Sequence, residues 1–194
     1  MLDQVIFTGF EPFGPHARNP SSEVAEHAAQ AASSWADTQS LVLPVEFRLA
    51  GKLVRQLRRD NPSAWILHIG LARNRSWVGI ETTAWNLGEA EADNAGESHN
   101  GELDAAEPEQ LKTGLPAARF AKALSRKTDL EVRLSDDAGR YVCNSTYFYA
   151  LAEAKLIGVQ SRVLFVHIPD IDADTCKRLG VALAGTLRWV VARS

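Results

Sequence analysis

Cys143 follows the approach Gly139-Arg140-Tyr141-Val142 and opens a helix-like run from Asn144 to Leu151, while His167 ends the apolar strand candidate Val163-Leu164-Phe165-Val166. A thiol at a helix N-terminus faces unpaired backbone N–H groups and the positive end of the helix dipole, and both favour the thiolate. An imidazole brought to it from a distant part of the chain would complete the nucleophile of a cysteine hydrolase. Such a base needs a third group to fix its tautomer and orientation.

Glu81 is the leading candidate for that third group. It is the only charge from Trp77 through Leu87, so in a half-buried strand its carboxylate must find a partner or bear a large desolvation cost. Asp170 and Asp172 lie nearer His167 in sequence and stay open as orienters, although solvated loop carboxylates are the plainer role for both. Plainer roles also exist for the pair itself: a buried cysteine is usually a small hydrophobe, which is how Cys176 in the last amphipathic stretch is read, and a strand-end histidine is often a satisfied core residue. Joint placement distinguishes Cys143 and His167. Of the other histidines, His68 sits inside Trp65-Ile66-Leu67-His68-Ile69 as a core group, and His16, His27 and His99 fall in a loop, on a helix surface and in a polar segment.

The elements that must position these groups alternate. Strands are expected at 4–9, 40–45, 64–71, 130–134 and 162–167, and helices at 21–33, 47–59, 117–126, 143–157 and 173–192. Ser21 or Ser22 is the expected cap of the first helix. Strand and helix in turn imply an α/β fold with a mostly parallel twisted sheet. Residues 77–87 read as a strand with no helix before it, hence an antiparallel extension of the strand that precedes it. The polar segment 88–114 is too long for an ordinary connection and reads as a functional or mobile loop. In an open α/β sheet the loops after the strands and the N-termini of the following helices gather at one edge. Phe10, Leu71, His167 and Cys143 are therefore expected on one rim.

Composition narrows the field. The chain has 194 residues, 45% hydrophobic and 23% charged, enough for one buried core, and 1–194 is read as a single domain. A net charge of -3 and a pI near 6.0, with scattered Lys and Arg, argue against a nucleic-acid partner. The start of the chain lacks a secretory signal pattern and no apolar run reaches membrane-spanning length, so a cytoplasmic protein without a membrane partner is expected. Two cysteines without near neighbours make neither a disulfide framework nor a metal site.

Several segments together resemble pyroglutamyl peptidase I, the pyrrolidone carboxyl peptidase family. They are Thr8-Gly9-Phe10-Glu11-Pro12-Phe13-Gly14, Asn19-Pro20-Ser21, Glu81 with Ala84 and Asn86, Leu115-Pro116, Gly139 to Asn144, and Val166-His167-Ile168-Pro169, in order across nearly the whole chain. The resemblance implies a three-layer α/β/α fold of the phosphorylase/hydrolase kind and a Cys-His-Glu triad at Cys143, His167 and Glu81. It implies no metal or organic cofactor, peptides with N-terminal pyroglutamate as substrates, and a homotetramer. It also implies a ring pocket from Phe10, Phe13 and Tyr141, with Asn19 shaping the site. Three places depart from the family: Leu71 stands for a common Gln, Arg73-Asn74 for a Gly-Gly pair, and Glu91 for an Arg. A divergent member acting on another small acyl or lactam amide, and a noncatalytic small-ligand binder, are the competing expectations.

Overall fold

The computed structural model describes residues 2–15, 17–90 and 92–193. In chain order its elements are β1 (Leu2–Phe10), α1 (Pro20–Ala32), β2 (Ala36–Leu43), α2 (Phe47–Asp60), β3 (Trp65–Leu71), β4 (Val78–Glu81), β5 (Thr83–Trp85), β6 (Gly88–Ala90), β7 (His99–Gly101), β8 (Gln110–Lys112), α3 (Ala117–Leu124), β9 (Val132–Ser135), α4 (Val142–Leu156), β10 (Val163–Ile168) and α5 (Ala173–Val191). A six-stranded sheet runs β2-β1-β3-β10-β4-β9 among the described residues. Every pairing in it is parallel except β10 with β4.

Burial follows the sequence pattern. Strands β3 and β10 are near-continuous apolar runs and are covered on both faces, as central parallel strands require. Strand β2, at an edge, exposes half of its side chains and buries only Ala36 and Leu43 at its ends. On one face Leu164, Val166 and Ile168 pack under α1, α3 and α5. On the other, Val163 and Phe165 pack under α2 and α4. Side chains alternate along a strand, so His167 shares the face of Phe165, beneath the helix that carries Cys143.

The layered α/β/α architecture is the expected one, with four local differences. The antiparallel strand falls where expected, but it divides into β4 and β5, and β4 pairs with β10 rather than with β3, the strand before it. The first helix is capped by Asn19, whose side chain accepts from the Ser21 backbone N–H at 3.2 Å, because the helix begins at Pro20 and takes both serines into its first turn. Residues 88–114 are not structureless: β6 pairs with β7, and β8 pairs back with β5. His16 lies outside the described residues. No helix among the described residues is long and apolar enough to cross a membrane.

Candidate active site

The sheet itself brings the acid and the base together. Phe165 of β10 lies opposite Glu81 of β4, and His167 lies opposite Gly79, so Glu81 and His167 are diagonal neighbours on one face. His167 Nδ1 and Glu81 Oε1 are 2.8 Å apart, with Glu81 wholly buried and His167 4% exposed. Burial alone would push the Glu81 carboxyl up. The His167 hydrogen bond and charge, then the nearby Ser135 and Arg75 side chains, outweigh it and hold the group below its ordinary value. Nδ1 is thus occupied, and Nε2 is the ring nitrogen left to face a nucleophile.

Glycines flank His167 on both neighbouring strands, Gly70 on β3 and Gly79 on β4. A Cβ added to Gly70 would lie 2.7 Å from Phe165 Cζ and 3.0 Å from Cys143 Sγ. The sulfur therefore rests over the Gly70 position, one strand spacing of about 4.8 Å from the His167 position. A Cβ at Gly79 would lie 2.6 Å from Arg75 Nη1 and 3.2 Å from Glu81 Oε1. Both gaps in the side-chain layer hold reactive or charged atoms.

Cys143 is the second residue of α4, whose first turn carries no side-chain cap; the N–H groups there have no partner within the helix. The rest of the helix start is tied down. Asn144 accepts from the Trp85 N–H at 2.8 Å and donates to the Trp85 and Leu87 carbonyls at 2.8 and 2.9 Å. Tyr147 donates to the Glu81 backbone carbonyl at 2.9 Å. One helix thereby carries the thiol and clamps the strand that carries the carboxylate. The thiol itself departs from expectation: burial, then the Glu81 charge, push it up to about 12, against the weaker downward pull of its own N–H and of Arg75. The helix end is present as read, but desolvation outweighs it.

Cys143 and His167 line one cavity of roughly 340 Å³, walled by Phe10, Phe13, Val45, Leu71 and Tyr141 among others. That is near the small end for ligand pockets and suits a compact, mostly apolar group. Phe13 and Tyr141 stand 6.3 Å apart, and Phe47 meets Tyr141 edge-on at 5.5 Å, bracing the wall from behind. The Tyr141 hydroxyl donates to the Ala92 carbonyl at 2.9 Å. Asn19 also lines the cavity, but its amide donates to the Glu11 carbonyl and its oxygen caps α1, so it shapes the site rather than reaching into it. Leu71 supplies an apolar wall, and Arg73 and Asn74 stand on the rim. Glu91 lies outside the described residues. Asp170 pairs with Arg73 at 2.9 Å and Asp172 caps α5; the acceptor for His167 Nδ1 is Glu81.

Sequence reasoning passed over Arg75. Its Nη1 donates to Glu81 Oε1 at 2.7 Å, the oxygen that also meets His167, and its Nη2 donates to the Asp137 carbonyl at 2.7 Å. The signal was available: a lone carboxylate in a buried strand demands a cation, and a glycine inside that strand marks a close approach.

The family described as pyroglutamyl peptidase matches residues 3–185. The pyrrolidone-carboxylate peptidase of Bacillus amyloliquefaciens is 30% identical over 186 residues, covering 95% of this chain and 86% of that protein. The one from Gloeobacter violaceus is 33% identical, covering 96% and 93%. Among solved structures, Bacillus amyloliquefaciens pyroglutamyl peptidase I superposes with a TM-score of 0.84 at 27% identity, over 95% of this chain and 97% of that one. Pyrrolidone carboxyl peptidase from Thermococcus litoralis superposes at 0.86 with 23% identity, covering 98% and 96%, a likeness of fold.

Proposed function

The chain belongs to the pyroglutamyl peptidase family, and on that premise we propose that it is a cysteine peptidase that removes N-terminal pyroglutamate from peptides, with Cys143 as nucleophile, His167 as acid and base, and Glu81 as orienter. The observation that carries this reading is the 2.8 Å contact between Glu81 and His167 at the wall of a cavity that the Cys143 thiol also lines.

The half-buried thiol and the ring must act together. With its pKa pushed up to about 12, Cys143 ionises by passing its proton to His167 Nε2, and Glu81 stabilises the imidazolium that forms. The thiolate attacks the pyroglutamyl carbonyl, and the uncapped N–H groups at the start of α4 receive the oxyanion. His167 gives its proton to the departing amine, leaving a thioester on Cys143. Water attacks the thioester as His167 takes a proton from it, and the collapse releases pyroglutamate and returns the proton to sulfur. A neutral lactam with an apolar body suits the space between Phe10, Phe13, Leu71 and Tyr141.

Cys143→Ala is expected to abolish release of a chromogenic amine from a pyroglutamyl amide while leaving the circular dichroism spectrum unchanged. A fully active variant would remove the nucleophile. Wild-type cleavage of another small acyl amide in preference to the pyroglutamyl one would shift the assignment to a divergent specificity, and no turnover with tight ligand binding would make the protein a binder. We further propose one domain over 1–194, because the three triad residues come from separate segments of one sheet and the helix above it. On the family resemblance we propose a homo-oligomer, for which sedimentation of the purified chain at a monomer mass is the contrary result. The cytoplasm is the proposed compartment, supported by free thiols at Cys143 and Cys176; fractionation that places the protein elsewhere would overturn it.

A further inference from the structure

Resting on the triad reading above, we propose that Arg75 is a positioning residue of the reaction, whose guanidinium cancels the Glu81 charge so that the Cys143 thiolate and His167 imidazolium form together in a buried site. Glu81 Oε1 is shared: it takes Arg75 Nη1 at 2.7 Å and meets His167 Nδ1 at 2.8 Å. The other oxygen, Oε2, is buried and has no hydrogen-bond partner among the described residues. The Ser135 side chain also favours the ionised carboxylate, but the two short hydrogen bonds, from the ring and from the cation, fall on one atom.

Charge counting gives the consequence. Thiolate, imidazolium and carboxylate sum to -1 where Glu81 and His167 are buried and Cys143 is half-buried, and a net buried charge is costly. Arg75 brings the sum to zero. Its side chain is only 16% exposed, so solvent screens it little, and it pulls down the pKa of the Cys143 thiol that Glu81 pushes up. The guanidinium is held from three sides: Glu81, the Asp137 carbonyl at 2.7 Å in the loop leading to α4, and the Trp77 ring at 4.6 Å. Arg75 thereby joins the strand of the acid to the loop before the nucleophile. Gly79 is the clearance that admits it.

Other charged or titratable groups face this cluster and must be counted. Tyr141 and Arg73 line the cavity, Tyr147 reaches the Glu81 carbonyl from α4, and Asp137 pairs with Arg140 at 2.6 Å in the loop. The phenols of Tyr141 and Tyr147 are both pushed up, chiefly by burial. They stay neutral across the working range, and Asp137 has its own cation. Arg75 is left as the counter-charge to Glu81.

The test measures iodoacetamide inactivation and kcat/KM for a pyroglutamyl amide across pH, in wild type, Arg75→Gln and Arg75→Lys. Removing a cation makes every deprotonation in the cluster harder. In Arg75→Gln the acid limb of both profiles should move up by roughly one pH unit, with kcat/KM near pH 7 falling on the order of tenfold. Arg75→Lys should keep the limb in place. A role confined to tying the loop would lower the rate at every pH and leave the limb where it was, and that result overturns the proposal. Should Arg75→Gln fail to fold, Arg75→Met removes the same charge while keeping an apolar stem beside Trp77 and must give the same upward shift. An inactive wild type, or an active Cys143→Ala, would instead sink the triad reading on which this one rests.

Discussion

Glu81 is a single carboxylate asked to serve a ring and a guanidinium at once, and its substitution separates chemistry from packing. In Glu81→Gln the shape remains, the amide still offers an oxygen to Arg75, and the negative charge that stabilises imidazolium is gone. We expect kcat to fall on the order of 10² to 10⁴-fold, with a urea midpoint near that of wild type. Unchanged kinetics would take Glu81 out of the triad. At this scale much was legible before any coordinates: a lone charge in an apolar strand, a thiol opening a helix and a histidine ending a strand were each visible as types in places. The state of the thiol was not. Its helix-end stabilisation is local and can be read from Tyr141-Val142-Cys143, whereas the desolvation that pushes it up to about 12 comes from packing against Gly70 and Phe165, which no local pattern encodes. Asn19 was read as a site residue and lines the cavity, but its polar atoms are spent on α1 and the Glu11 carbonyl.

Strands β10 and β4 are the elements on which the site depends, and their pairing was the part of the fold least open to reading. Periodicity finds a strand near 77–87 but not its neighbour, because β10 begins at Val163, far along the chain. The nearest preceding strand was the natural guess, yet β10 inserts between β3 and β4, and this insertion gives His167 a glycine on either side. Gly79→Ala tests that arrangement. Its Cβ would meet Arg75 Nη1 at 2.6 Å and Trp77 Cζ3 at 3.0 Å, and the guanidinium is the end of a flexible side chain that can swing away. The strand should therefore survive, with thermal stability reduced by about 1 kcal/mol, while kcat/KM drops on the order of tenfold as Arg75 leaves Glu81. A variant with full activity would mean that the cleared space has no bearing on the cluster.

Across the whole molecule, stability should begin to decline with acid well before the carboxylates titrate, and His68 is the reason. It lies on central strand β3 with no exposed surface; its Nδ1 is 2.8 Å from the Thr8 hydroxyl on β1, and its Nε2 has no hydrogen-bond partner among the described residues. Burial first, and the nearby Arg58 cation second, push its pKa down to about 3 from an ordinary 6.5. A histidine depressed in the folded state contributes fully above 6.5, where neither state binds the proton. Between 6.5 and 3 the unfolded chain takes a proton that the folded core refuses, so stability is lost as pH falls through that window. From pH 7 to pH 5 the loss should approach about 2 kcal/mol from this one group. Glu81, held below its ordinary 4.5, adds a further loss only beneath that value. Urea unfolding at pH 7 and pH 5 of wild type and His68→Asn separates the two contributions, since Asn can keep the bond to Thr8 but takes up no proton. The variant should be less stable at pH 7, for the volume it gives up, and should show almost no change between the two pH values. An equal slope in both proteins would place the acid sensitivity elsewhere in the fold.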